Sequence, residues 1–175
     1  ILIGLVGSEM CIRDRAYIDT MTGLGNRTAF LEENKSNAIF PGMISYIMMD
    51  ANNLKTINDT LGHNKGDELI ITIAKCMRKA VGHNGQCYRI GGDEFVIILK
   101  NKTAAETEEI INKVRCEIEF ADKQSDITIS VAIGYVWTDT EQKNLEDLMQ
   151  HADDEMYQDK KKTKENKSKE NTHSI

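Results

Sequence analysis

Three things are missing from this 175-residue sequence: a long apolar run, a paired-cysteine motif and a surplus of positive charge. A membrane-spanning helix needs about 20 consecutive apolar residues. The opening ILIGLVG is far shorter, and it lacks the basic leader of a signal peptide. No membrane contact is expected of this domain, although a full-length protein leaves room for an anchor elsewhere. The four cysteines, Cys11, Cys76, Cys87 and Cys116, form no CxxC pair. They read as reduced core or surface thiols in a cytoplasmic setting. The formal net charge of -6 argues against a non-specific nucleic-acid binder, because such proteins use Lys and Arg to neutralise phosphates. No nucleic-acid partner is expected. A nucleotide held by local groups and a metal remains open.

The apolar fraction, 40%, suffices for the core of one ordinary domain. Residues 1–15, ILIGLVGSEMCIRDR, fit poorly with the rest of the chain and read as an extension or linker, foreign or native. From residue 163 the chain is almost without apolar side chains. Such a stretch cannot repay the entropy of ordering, so a disordered tail over 163–175 is expected. The domain proper is then 16–162.

Within it, Asn26 can cap a helix through RTAFLEENKS, and Pro41-Gly42, with the only proline, breaks the chain. MISYIMMD (43–50) is apolar on both faces, like a strand covered by helices. NLKTINDTLG reads as a short helix stopped by Gly62, and KGDELIITIAKCMRKAVG as a longer one ended by Gly82 and Gly85. QCYRI and EFVIILK read as a hairpin, TAAETEEIINKVRCEIEFA as a helix, DITISVAIGYVW as a strand and NLEDLMQHADDEMYQDKK as a closing helix. The order is helix, strand, helix, helix, hairpin, helix, strand, helix. It predicts an α+β domain with an antiparallel-containing sheet and helices packed against it.

Asp50 ends a predicted strand, and Asp93 and Glu94 sit at a hairpin tip. If those strands are neighbours, the carboxylates converge, which is costly unless a cation lies between them. Mg²⁺ suits such a place, because it binds through one or two carboxylates plus the phosphates of a substrate. Gly91 and Gly92 permit a tight turn and leave room for a large ligand. Asn58 and Asp67 can offer an amide and a carboxylate to a guanine edge. Lys55 is near enough to the Asp50 strand end to meet phosphate charge. Each residue alone has a plainer reading: a turn for the hairpin tip, helix capping for Asn58 and Asp67, a solvated lysine for Lys55.

Two stretches, Arg89-Ile90-Gly91-Gly92-Asp93-Glu94-Phe95 and DANNLKTINDTLGHNKGDELI, resemble the signature and a second long motif of the GGDEF diguanylate cyclase family, and two more stretches support the resemblance. AYIDTMTGLGNRTAF is similar to the opening motif, with Asp19, Thr22, Gly23, Leu24, Asn26, Arg27 and Phe30 in register. HADDEMYQDKK is similar to the last helix, with Ala152, Asp153, Tyr157 and Lys160 in place.

The resemblance implies a palm-like α+β sandwich: a central mixed, mostly antiparallel five-stranded sheet flanked by helices. It implies an enzyme that condenses two GTP into cyclic di-GMP with release of pyrophosphate, dependent on Mg²⁺ or Mn²⁺. Asp50, the carbonyl of Ala51, Asp93 and Glu94 would hold the metal, and Asp93 is the position often assigned the general base. Asn58 and Asp67 would read guanine, with His63 in the same segment. Lys55 and Lys160 would contact phosphates. Each site holds one GTP, so turnover would need a homodimer, normally aligned by an N-terminal sensor or regulatory module. The alternative is a catalytically inactive GTP-binding regulatory or interaction module.

The sequence also departs from the family pattern. Gly82 and Gly85 stand where many members carry the Arg and Asp of a product-inhibition site. Without those charges that brake is expected to be absent. Asn52 stands where many members have a second Asp, and Thr163-Lys164-Glu165 replaces a Gly-Arg-Asn turn.

Overall fold

A computed structural model describes residues 16–37, 41–139 and 145–172, without the side chains of 37, 145 and 162–172. The expected extension over 1–15 lies outside the described residues. The elements follow the sequence order: α1 (Arg27–Asn37), β1 (Ile44–Ala51), α2 (Leu54–Leu61), α3 (His63–Val81), β2 (Gly85–Arg89), β3 (Glu94–Lys100), α4 (Ala104–Asp122), β4 (Val131–Thr138) and α5 (Leu145–Thr172). The backbone of α5 stays helical through Thr172, so the expected boundary with a tail near residue 163 falls inside this helix. Among the described residues no helix is long and apolar enough to cross a membrane.

Among the described residues the strands form one four-stranded sheet in the order β2-β3-β1-β4, with every ladder antiparallel. The expected mixed, five-stranded sheet is therefore incorrect. The residues themselves mark only four strand stretches, and those are the strands that form. At the β2 edge, Gly25 makes a single parallel bridge to Tyr88, too short to be a strand. Residues 126–130, read as the start of the last strand, precede the β4 ladder.

Both sheet faces are covered, which is why every residue of β1 is buried. One face carries Ile47, Met49, Phe95, Ile97 and Leu99 against Leu69, Ile73 and Met77 of α3 and Val114 and Ile118 of α4. The other carries Ile44, Tyr46, Met48, Val96 and Ile98 against Phe30 of α1 and Ala152 and Met156 of α5. Each such side chain contributes about 1.5–3 kcal/mol when fully buried. Alternation along β1 puts Asp50 on the second face, with Tyr46 and Met48, beneath α5. Gly134 lets α5 approach β4 closely, because a Cβ there would collide with the main chain at Ala152 and Met156.

Candidate functional site

β1 pairs with β3 in a register that sets Asp50 directly opposite Glu94. Such a pair projects from one face, with Cβ atoms about 4.5–5.5 Å apart. Asp50 is only 8% exposed, and its Oδ1 accepts from Lys160 Nζ of α5 at 2.7 Å. The chain continues from Asp50 to Ala51, whose N–H donates to the carbonyl of Asp93 at 2.9 Å. Asp50, Ala51, Asp93 and Glu94 thus gather at one end of two neighbouring strands.

The β2–β3 turn is held from inside. Glu94 O accepts from Ile90 N at 2.9 Å. A Cβ on Gly91 would meet the folded-back Glu94 carboxylate, so a larger residue there would displace that side chain. A Cβ on Gly92 would meet nothing, so this side of the turn is open. Arg89 Nη2 donates to Gly92 O at 2.8 Å, while Nη1 reaches Asp19 Oδ1 at 3.3 Å. Burial raises the Asp19 pKa, but hydrogen bonds from the Thr22 side chain and main chain, together with the Arg89 charge, outweigh it and hold the carboxyl below its ordinary value.

A second group follows β1 directly. Asn53 adopts the left-handed conformation, φ 64°, which an asparagine tolerates better than most residues, and turns the chain into α2. The Asn53 side chain does not cap α2, which leaves its first N–H groups without a side-chain cap among the described residues, with exposed Lys55 beside them. Asn58 is half-buried against Gly66, where a Cβ would overlap its Oδ1. That close approach brings Asn58 to the start of α3, which also carries exposed His63 and Asp67.

Asp50, Asp93, Glu94 and the Ala51 carbonyl offer oxygens, as a hard divalent ion requires. Among the described residues no group of three or more His, Cys, Asp or Glu forms a cage that would hold a metal alone. A set this thin fits Mg²⁺, which takes its remaining ligands from phosphates and water. Just past β1, Asn52 N donates to Ser130 O at 2.9 Å, and two buried side-chain atoms of this pair, Asn52 Nδ2 and Ser130 Oγ, have no hydrogen-bond partner among the described residues.

The family model described as "Diguanylate cyclase, GGDEF domain" matches residues 16–166.

The chain belongs to the GGDEF diguanylate cyclase family.

It is 33% identical over 152 residues to the diguanylate cyclase DgcN of Escherichia coli K12, covering 83% of this chain and 37% of that protein. It is 28% identical over 145 residues to the cyclic di-GMP phosphodiesterase PdeB of Shewanella oneidensis, covering 81% of this chain and 17% of that protein. This GGDEF chain therefore spans well under half the length of either relative. It shares the fold of the coiled-coil and GGDEF structure of DgcB from Caulobacter crescentus, with a TM-score of 0.80 at 24% identity, covering 90% of this chain and 87% of that one.

Within the GGDEF fold, Gly82 and Gly85 are more than missing charges. Gly82 has φ 54° and ψ -125°, where an L side chain is strained. A Cβ on Gly85 would stand 2.5 Å from the Ile98 carbonyl oxygen. Lys164, where the sequence suggested an altered turn, lies in the helical backbone of α5, among residues whose side chains are not described. Sequence reasoning assigned no task to Arg89, Asn53 or Asp159. An Asn-Asn pair before a helix, and an acid next to Lys160, were the available signals.

Proposed function

We propose that this GGDEF domain condenses two GTP into cyclic di-GMP and releases pyrophosphate, with Mg²⁺ or Mn²⁺. The observation that carries the reading is the buried Asp50 opposite Glu94, with Lys160 on the same carboxylate. Asp50, Asp93, Glu94 and the Ala51 carbonyl would hold the cation. A divalent ion there supplies Lewis-acid polarisation of the phosphates and favours ionisation of the attacking hydroxyl.

The chain's own residues do the positioning. Asn58 and Asp67 read the guanine edge, with His63 alongside. Lys55 and the N-terminus of α2 meet the triphosphate, as does Lys160. The 3′-hydroxyl of one GTP attacks the α-phosphorus of the other. Asp93 would accept that proton or ligate the ion. Gly92 leaves the turn open to the nucleotide.

Because one domain holds one GTP, two copies must face each other, so the working unit is a homodimer aligned by an N-terminal module. The missing Arg and Asp at positions 82 and 85 support a cyclase without its primary product-inhibition site. A second reading is supported by the similarity to PdeB: a GTP-binding regulatory module inside a larger protein. Incubating the protein with GTP and Mg²⁺ and separating products by chromatography decides between them. Cyclic di-GMP supports the cyclase; bound GTP without product, even in an enforced dimer, supports the regulatory module.

A further inference from the structure

α5 is fastened to the sheet one residue before Lys160. The Asp159 carboxylate accepts the main-chain N–H of Ile133, on the outer edge of β4, at 2.9 Å. The two terminal nitrogens of Arg115, on α4, reach the same oxygen at 3.4 Å each. A sheet edge normally presents unpaired N–H groups; here a helix side chain takes one up. The next strand residue is Gly134, whose missing Cβ admits the α5 backbone. Helix and strand are thus locked at two adjacent positions.

Successive helix residues point about 100° apart. With Asp159 tied to the outer edge, Lys160 turns toward β1 and meets Asp50 at 2.7 Å. A slip of α5 by one residue, about 1.5 Å along its axis and about 100° around it, would turn Lys160 away from Asp50.

We propose that Asp159 is a positioning residue: by fastening α5 to Ile133 and Arg115, it holds the Lys160 ammonium over the acidic strand end where a nucleoside triphosphate binds. The inference rests on the GTP reading of this site. Asp159 acts through Lys160 and touches no reacting atom.

The test is a double-mutant cycle in the whole chain, read as affinity for the non-reacting α,β-methylene analogue of GTP with Mg²⁺. Guanosine serves as the phosphate-free comparison. Asp159→Ala is expected to weaken the analogue about fivefold and leave guanosine unchanged. Lys160→Ala weakens it about tenfold, and the double variant no further. Asp159→Asn, whose amide oxygen still accepts from Ile133, recovers most of the loss. Losses that multiply in the double variant, or that fall equally on guanosine, would mean Asp159 serves general stability alone and would overturn the proposal. Should Asp159→Ala fail to fold, Arg115→Ala replaces it: a loss of about twofold that vanishes beside Lys160→Ala supports the proposal, and no loss overturns it. An unmodified chain that binds no analogue contradicts the GTP reading and removes this inference with it. Binding with an additive cycle removes this inference alone.

Discussion

Lys160 Nζ lies 2.7 Å from Asp50 Oδ1, so an internal ammonium is the counter-charge of the buried carboxylate. Glu94 stands opposite Asp50, and like charges so placed repel. Lys160→Met should cost about 2 kcal/mol, because it leaves a buried carboxylate unpaired. Added Mn²⁺ should then raise the melting temperature of the variant more than that of the unmodified chain. An equal response in both would contradict the pairing.

Arg89 couples Asp19 to the Gly92 carbonyl, and this link should titrate. The Asp19 carboxyl is held below its ordinary value, so its stabilising share is complete above the unfolded value, about pH 4. That share is lost as pH falls through the lower folded value. Acid denaturation should therefore be steeper below about pH 4 in the unmodified chain than in Asp19→Asn. Matching curves would show that Asp19 gains nothing on folding.

On the proposed reading, in which the product brake is absent, the backbone at Gly82 and Gly85 itself disfavours the side chains that would form it. Writing Arg and Asp back into these positions should not restore inhibition. Gly85→Asp places a Cβ against the Ile98 carbonyl oxygen and should cost about 2–4 kcal/mol through displaced β2 pairing and an acid at a packed edge. Thermal melting checks the cost, and calorimetric titration with cyclic di-GMP checks the brake. A stable Gly82→Arg/Gly85→Asp protein that binds the product tightly and stops turning over would contradict both points.

Gly66 sets Asn58 against α3. Gly66→Ala gains about 1 kcal/mol of helix propensity but pushes the Asn58 side chain away. Stability should change little, while GTP affinity falls about tenfold, as expected for one lost hydrogen bond to the base. Unchanged affinity would remove Asn58 from the binding surface.

Much of this was legible in the sequence, for identifiable reasons. Apolar runs on either side of Gly91-Gly92-Asp93-Glu94 marked the hairpin, and Gly62 and Gly82 marked helix ends. All four strands follow from local pattern. The count of five came from family resemblance, and the two isolated bridges at Gly25, to Ile18 and to Tyr88, show how little of a fifth strand forms. What local pattern cannot contain is register across distant segments. Asp50 and Glu94 become opposites only when β1 pairs with β3. Lys160 becomes the counter-charge of Asp50 only when α5 lies over β4. The empty charge positions at 82 and 85 were visible as letters. The positive φ and the tight contact with Ile98 that keep them empty were not.

Cyclic di-GMP formation from GTP and Mg²⁺ is the most direct measurement, made on the unmodified chain and on Asp93→Ala, each alone and fused to a dimerising coiled coil. The expected result is product from the unmodified chain, more of it when two copies are held together, and a loss of at least about 100-fold in Asp93→Ala. GTP bound by the coupled, unmodified chain with no cyclic di-GMP formed would contradict the cyclase reading.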